Sequence, residues 1–184
     1  MKLTDYSFRD IDKKIVKLED ESLISNYDVD IPYYGVVYID HVKGISMRII
    51  GDDKKSLIEG EGIIFRYDDI KNLEFDIINN YKDKNLVYKL IDSYYNDRDI
   101  ISTRNIIEID NYRLNSNPDV ISICLIKDKK EEKVWSRIIG FVEDGLVCSI
   151  LSDTKLYKLS IGTNVGVKYD KDTNRIIVIG RVDL

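Results

Sequence analysis

The chain has 184 residues, of which 43% are hydrophobic and 33% are charged, and its net charge is −5. This balance excludes a disordered chain, and the length predicts one ordinary domain or two small ones. The acidic excess argues against broad binding to nucleic-acid phosphates, which needs a basic face. It is compatible with a basic partner.

No apolar run reaches the roughly 18 residues of a membrane span, and the first residues, MKLTDYSFRD, hold no long apolar stretch typical of a signal peptide. We therefore expect a cytoplasmic protein. The only cysteines, Cys124 and Cys148, lie inside apolar runs. We expect both to be small buried core residues and not a disulfide.

In the first half of the chain, β-branched and aromatic runs predict strands. They cover Tyr34 to Ile39, residues 45–50, and the runs IIFRY and LEFDII. Residues 13–19 fit either a strand or a helical stripe, and we favour a strand. Residues 83–95 differ, because Leu86, Leu90 and Ile91 recur at helical spacing behind a cap at Asp83 or Asn85. We predict one helix there.

From Asn105 onward the pattern returns to strands. The predicted strands are IIEI, VISICLI, VWSRIIGFV, LVCSIL, LYKLSIG, VGVKY and RIIVIGRV. The residues between Lys127 and Lys133 are expected to form a charged hairpin loop. Asp144-Gly145 predicts a type I′ hairpin turn, because both central residues of that turn need positive φ.

One stretch occurs twice, from Gly44 to Phe75 and from Gly145 to Ile177. With a one-residue gap, the matched pairs are Gly44/Gly145, Asp52/Asp153, Lys54/Lys155, Leu57/Leu159, Gly60/Gly162, Tyr67/Tyr169, Asp68/Asp170 and Asn72/Asn174. This spacing predicts that the two stretches superpose with the same strand order. It also predicts positive φ or a close backbone approach for at least one of Gly60 and Gly162.

The expected fold is mainly β, in the α+β class. We predict two pseudo-repeated small β-barrel or β-sheet units joined by one helix. The first β unit is assigned to residues 1–80, the helical connector to residues 81–103 and the second β unit to residues 104–184.

Two resemblances bear on this fold. One layout in the second half resembles a small bacterial β-barrel family of unknown function that is found beside polymorphic-toxin immunity genes. It runs from Trp135 through Gly140-Phe141-Val142-Glu143-Asp144-Gly145 to Gly162-Thr163-Asn164-Val165-Gly166-Val167. In the first copy, the run from Gly60 to Ile70 resembles the last part of the same pattern. The family's closing Asp-Trp is replaced by Lys71-Asn72 and Thr173-Asn174. The resemblance implies an immunity-type neutraliser.

The run Gly62-x5-Asp68-x3-Asn72-Leu73-x-Phe75 is similar to the first signature of Sm-like RNA-binding barrels, in which the Asp and Asn shape a uridine pocket. Asn164 stands where the second copy should have the Gly. This resemblance implies a nucleic-acid-binding barrel as the alternative function.

Recognisable catalytic chemistry is missing from the sequence. His41 is the only histidine and lies in a predicted turn, so a Ser-His-Asp or Cys-His device would depend on it alone. No His/Cys cluster has metal-ligand spacing, and no Gly-rich loop is followed by a helix that could hold a phosphate. We expect no metal and no cofactor. A hydrolase that uses only carboxylates stays open as a further alternative.

We therefore expect a non-catalytic binding protein with a protein partner, because tyrosine and tryptophan combine a large contact area with a polar tip. Tyr94 and Tyr95 could form a partner surface, but we favour core packing for them. The candidate binding residues are Tyr67, Asp68, Asn72, Trp135, Tyr169, Asp170 and Asn174. The same Asp and Asn residues could equally be turn builders that bond to nearby backbone.

Overall fold

The fold was analysed in a computed structural model that describes residues 1–59 and 62–183. It is mainly β, as predicted, and it divides into two compact units, Met1–Asn96 and Asp97–Leu184. The segment assigned to the connector is shared between them, because its first helix belongs to the first unit and its second helix to the second unit. Gly60 of the matched glycine pair lies outside the described residues.

The first unit is built on a five-stranded sheet with the order β4-β3-β2-β1-β5. Its strands are β1 (Ile15–Leu18), β2 (Tyr33–Asp40), β3 (Gly44–Asp52), β4 (Ile64–Arg66) and β5 (Phe75–Ile78). Its α-helices are α1 (Phe8–Ile11), α2 (Tyr67–Ile70) and α3 (Lys84–Ile91), and 3-10 helices cover Leu3–Asp5, Glu21–Leu23 and Asp92–Tyr95. The predicted strand at residues 13–19 and the predicted helix at residues 83–95 are thus confirmed.

Both faces of this sheet are apolar, because successive strand residues point to opposite sides. Val37 and Met47 pack on one face, and Val36 and Tyr38 pack on the other. Helix α3 covers the second face with its buried apolar stripe, which includes Val87. The predicted helix therefore packs onto the sheet of its own unit.

The tyrosines that follow helix α3 pack inside the first unit. The ring of Tyr94 lies 4.5 Å from the ring of buried Tyr38. The hydroxyl of Tyr95 donates to a carboxylate oxygen of Asp12 and accepts from the backbone N–H of Ile39 at 3.2 Å. Core packing was favoured for this pair, and the contacts agree with it.

The second unit contains a closed five-stranded β-barrel. Its strands are β6 (Arg113–Leu114), β7 (Asn117–Lys127), β8 (Lys130–Val142), β9 (Gly145–Ile150), β10 (Asn164–Asp170) and β11 (Arg175–Arg181). They follow the order β11-β10-β9-β8-β7-β6, and β11 also pairs in parallel with β7, at Ile177 and Cys124. Strands β7 to β11 thereby form the barrel, and β6 lies beside β7.

The barrel core is filled by the inward-facing residues of these strands, among them Ile121, Ile123, Ile138, Cys148 and Val165. Helix α4 (Arg98–Thr103) and the 3-10 helix Ile107–Tyr112 precede the barrel and add Ile100 and Ile109 to the same core. We call residues 97–112 the cap segment. Both cysteines are buried and free, as predicted, and burial raises the pKa of the Cys148 thiol to about 12.

The prediction that the two copies share one strand order is wrong in their last strand. In the second copy, β10 and β11 form an antiparallel hairpin. In the first copy, β4 leads into helix α2, and β5 pairs with β1 instead of β4. The two copies differ at one matched position of the preceding turn, because the Asp69 carboxylate accepts the backbone N–H of Arg66 at 2.9 Å and caps a helical turn. The matched position holds Lys171, which cannot accept that bond.

Three local predictions in the second unit are also corrected. IIEI lies in the cap segment, mostly as a 3-10 helix, and LYKLSIG is an irregular loop between β9 and β10. The turn with positive φ at both central residues is Asp128-Lys129, where φ is 49° and 63°. Gly145 is needed for space, because a Cβ there would lie 2.1 Å from the carbonyl oxygen of Val167.

A buried ion pair, for which the sequence holds no local signal, joins the cap segment to β7. Arg104 donates from Nε and Nη2 to the two carboxylate oxygens of Asp119, at 2.9 and 2.7 Å. Arg104 is 5% exposed and Asp119 is fully buried. Arg113 lies beside them and donates to the carbonyl oxygen of Thr103 at 2.6 Å. The pair is bidentate, which is the geometry that best offsets the cost of burying charge.

We expect Arg104→Met to lower the free energy of unfolding of the second unit by about 3–5 kcal/mol, because the buried Asp119 carboxylate then loses the Arg104 guanidinium. The double variant Arg104→Met/Asp119→Leu should recover most of this loss, since neither charge then remains. Urea unfolding followed by the fluorescence of Trp135, the only tryptophan, reports on this unit. A double variant as unstable as Arg104→Met would contradict the expectation.

Gly162 has φ of 85°, which confirms the glycine prediction for the second copy. We expect Gly162→Val to cost about 1–2 kcal/mol of unfolding free energy, because only glycine adopts this backbone without strain. A Cβ at Gly162 would meet nothing within 4 Å, so a clash adds nothing. The matched control is Gly140→Val, which is equally open but lacks positive φ, and its urea midpoint should stay near that of the parent. Equal losses in the two variants would show that φ is not the cause.

Candidate functional site

One end of the barrel carries an apolar groove of about 280 Å³. At this end β8 turns into β9 and β10 turns into β11. Ile106 and Ile109 of the cap segment form part of the wall, and the remaining lining residues are Phe141, Val142, Glu143, Gly145, Leu146, Val167, Lys168, Tyr169 and Ile176. We call this feature the end groove.

The end groove has a buried floor and an exposed rim. Leu146, Ile109 and Ile176 are buried and belong to the barrel core. Phe141 stands at the rim with 46% of its surface exposed. Strand β8 carries a bulge between Ile138 and Gly140, and Phe141 follows it directly. A bulge re-aims the next side chain, which accounts for a large aromatic ring at the rim.

The predicted site residues of the second copy meet at the edge of this groove. The hydroxyl of Tyr169 donates to the amide oxygen of Asn174 at 2.8 Å. The hydroxyl of Tyr112 is 3.0 Å from the same oxygen and also donates to the backbone carbonyl of Asn174. The two tyrosine rings lie 6.2 Å apart. We call Tyr112, Tyr169 and Asn174 the tyrosine–asparagine cluster.

Asp170 and Asn174 shape the turn that carries this cluster. The Asp170 carboxylate accepts from the hydroxyl of Thr173 at 2.6 Å and from the backbone N–H of Asp172 at 3.1 Å. The hydrogen bond from Thr173 is the main reason that the pKa of Asp170 is lowered. Asn174 has φ of 51°, which asparagine tolerates better than most residues. These contacts are those of turn builders.

The matched residues of the first copy occupy a different setting. Tyr67 is partly buried at the start of helix α2, and Asp68 pairs with Lys71 at 2.6 Å. Asn72 is exposed and lines an open polar pocket of about 510 Å³ together with Glu19, Asp20, Glu74 and Asp76. Tyr67, Asp68 and Asn72 therefore do not form a counterpart of the tyrosine–asparagine cluster.

Trp135, the other predicted binding residue, lies in β8 and is 44% exposed. It pairs in register with Ser122 of β7 and points away from the barrel core, since its neighbours Val134 and Ser136 are buried. It is not among the residues that line the end groove.

Sequence reasoning missed Phe141, Tyr112 and the two isoleucines of the cap segment as site residues. They come together only through long-range contacts, so local spacing gave no signal for Tyr112 or Ile109. A local signal did exist for Phe141, because it lies just before a hairpin turn in a strand of alternating apolar residues.

Comparison with known proteins gives no relative: the chain matches no protein-family model, no curated protein and no solved structure. Within residues 1–59 and 62–183, no group of His, Cys, Asp and Glu side chains could hold a metal ion. Among the helices in the described part of the chain, none is long and apolar enough to cross a membrane.

The tyrosine–asparagine cluster can be tested with two substitutions at one position. Asn174→Gly keeps the positive φ accessible and removes only the amide contacts, so we expect it to cost about 1 kcal/mol of unfolding free energy. Asn174→Ala removes the same contacts and also strains the backbone, which should cost roughly 1–2 kcal/mol more. Urea unfolding followed by Trp135 fluorescence measures both. If the two variants were equally stable, the turn backbone would not depend on Asn174.

Proposed function

We propose that the protein is a non-catalytic binder of another protein, in the manner of an immunity-type neutraliser, and that the end groove is its contact surface. The observation that carries this proposal is the half-exposed Phe141 at the rim of an apolar groove whose floor belongs to the barrel core. Aromatic side chains beside a desolvated pocket are typical anchors of protein interfaces.

The groove is suited to one large apolar side chain of the partner. Its floor is buried and aliphatic, so an inserted side chain would lose its contact with water, which favours association by about 25 cal/mol per Å² of apolar surface. Phe141 and Tyr169 would then lie against the inserted group. The tyrosine–asparagine cluster already holds Tyr169 by a hydrogen bond, so little side-chain freedom is lost on binding.

The acidic residues near the groove favour a partner that carries basic residues around the inserted side chain. Glu143 lines the groove, Asp144 follows it at the hairpin tip, and Glu108 is exposed in the cap segment. Lys168 is the cation among the lining residues. The whole chain has a net charge of −5, which would steer a basic protein towards it and raise the association rate. The proposed partner therefore presents an apolar side chain framed by lysine or arginine.

The Sm-like alternative finds less support in this geometry. A base-reading role would need the amide of Asn174 to face a ligand, whereas its oxygen already accepts hydrogen bonds from two tyrosine hydroxyls. The pocket beside Asn72 of the first copy is lined by four carboxylates as well as Lys2 and Lys17, so it is not the basic surface that phosphate binding needs.

The products of the genes adjacent to its own are the first partners to test. We expect at least one of them, with net positive charge, to bind the purified full chain with micromolar affinity or better in calorimetry. Phe141→Asp should weaken this binding at least a hundredfold, because it places a charge at the apolar rim. The matched control is Ile161→Asp, which changes an apolar residue that is 65% exposed in the β9–β10 loop, and it should bind like the parent.

Three results would contradict the proposal. The first is that no adjacent gene product binds the parent chain. The second is that binding survives Phe141→Asp but is lost in Trp135→Ala, which would place the interface on the outer face of β8. The third is a gel shift with U-rich RNA at low salt that is lost in folded Asn72→Ala or Asn174→Gly.

A further inference from the structure

The barrel closes through only a short contact between its first and last strands. Strands β7 and β11 meet in register only at Cys124 and Ile177, and the following residues of the two strands do not pair. A cleft of about 330 Å³ lies there. This volume is at the lower end of the range for small-molecule sites, about 300–1,000 Å³. We call this feature the wall cleft.

The wall cleft connects the protein surface with the barrel core. Its deep lining includes Leu125, Leu159 and Val165, each of which is at most 5% exposed. Its mouth is formed by apolar side chains that are almost half exposed, Ile126, Tyr157 and Ile179. The interior is therefore apolar from mouth to floor.

A bulge in β11 lies beside the cleft. It is opposite Gly166 and Val167 and inserts Ile179 into the strand, and bulges bend the strand that carries them. After the bulge, Gly180 pairs with Gly166 and Arg181 pairs with Val165. Val165 belongs to the barrel core, so the register places Arg181 on the face of the strand that is turned towards the cleft and Gly180 on the outer face.

The wall of the cleft that β7 forms is arranged so that it disfavours a bound peptide in strand conformation. The hydroxyl of Tyr157 donates to the backbone carbonyl of Ile126. An extended peptide that paired with β7 at this point would have to displace that hydrogen bond. A flexible apolar chain has no such requirement, because it binds by contact with the walls alone.

The mouth of the cleft is positively charged. Arg181 lines the cleft, is exposed, and forms no ion pair with a residue among 1–59 and 62–183. The ammonium of Lys127 lies 5.5 Å from the centre of the Tyr157 ring. The acidic groups nearby in the chain are Asp183, two residues beyond Arg181, and Glu131, which pairs with Arg175. A carboxylate at the mouth would meet the Arg181 guanidinium, which suits it in a bidentate geometry.

We propose that the wall cleft binds a medium-chain fatty acid. The acyl chain fills the cleft between β7 and β11, and the carboxylate pairs with Arg181. This site does not share its lining residues with the end groove, so it does not depend on the proposed protein partner.

The test is calorimetric titration of the full chain with decanoate, below its micelle-forming concentration, and with decanol. We expect decanoate to bind at one site and at least tenfold more tightly than decanol. Ile179→Asp, which places a charge among the apolar side chains of the mouth, should weaken binding of both compounds at least tenfold. The matched control Ile161→Asp makes the same change at an exposed isoleucine outside the cleft, and it should bind both like the parent.

Arg181 is tested by a charge-keeping and a charge-removing change. Arg181→Gln should weaken decanoate binding at least tenfold and leave decanol unaffected, whereas Arg181→Lys should keep most of the preference for the carboxylate. Arg181 is exposed, so these variants keep the test decisive even if Ile179→Asp fails to fold.

The proposal is overturned if decanoate does not bind, or if it binds a folded Ile179→Asp variant as tightly as the parent. It is also overturned if decanol matches decanoate and Arg181→Gln changes neither, because the cleft would then be a general apolar surface.

Discussion

The parallel pairing of β7 with β11 is the constraint on which the second unit depends. Five antiparallel strands in sequence order place the first and the last strand parallel, so the barrel can close only through such a pair. Here the pair is confined to Cys124 and Ile177. Strand β11 consequently contributes to both surfaces described above, with Ile176 in the end groove and Arg181 in the wall cleft.

Sequence alone could predict the class of the fold and most of its strands, because alternating apolar residues leave a local signal. The two matched stretches show where prediction from local patterns fails. Their spacing is nearly the same, yet Asp69 caps a helix at the position where Lys171 continues a hairpin turn. In the first copy the strand after this helix pairs with β1, whereas in the second copy the strand after the turn pairs with its neighbour, and alignment of glycines, tyrosines and aspartates does not show this difference.

The candidate site shows the same division between local and long-range information. Tyr169, Asp170 and Asn174 lie within one hairpin, so their association could be predicted from spacing. Tyr112 lies 62 residues before Asn174 in the chain, and no sequence pattern predicts the contact between them. Trp135 could be placed in a strand, but alternation does not say which face of a barrel strand points inward. The sequence predicts that position 145 needs a glycine for its backbone conformation, whereas the structure shows that the close approach of the Val167 carbonyl requires it.

The end groove also depends on a polar interaction that lies away from it. Ile106 and Ile109 reach the groove only because the cap segment is fixed against the barrel, and the buried Arg104–Asp119 pair is one of the contacts that fix it. An apolar contact tolerates small sliding, whereas a bidentate ion pair requires one geometry. We infer that the charges are retained to hold the cap segment in register, because a buried ion pair seldom adds net stability over an apolar one. On this view Arg104 and Asp119 help to fix the positions of Ile106 and Ile109 in the groove wall. They thereby affect the shape that the groove offers to a partner.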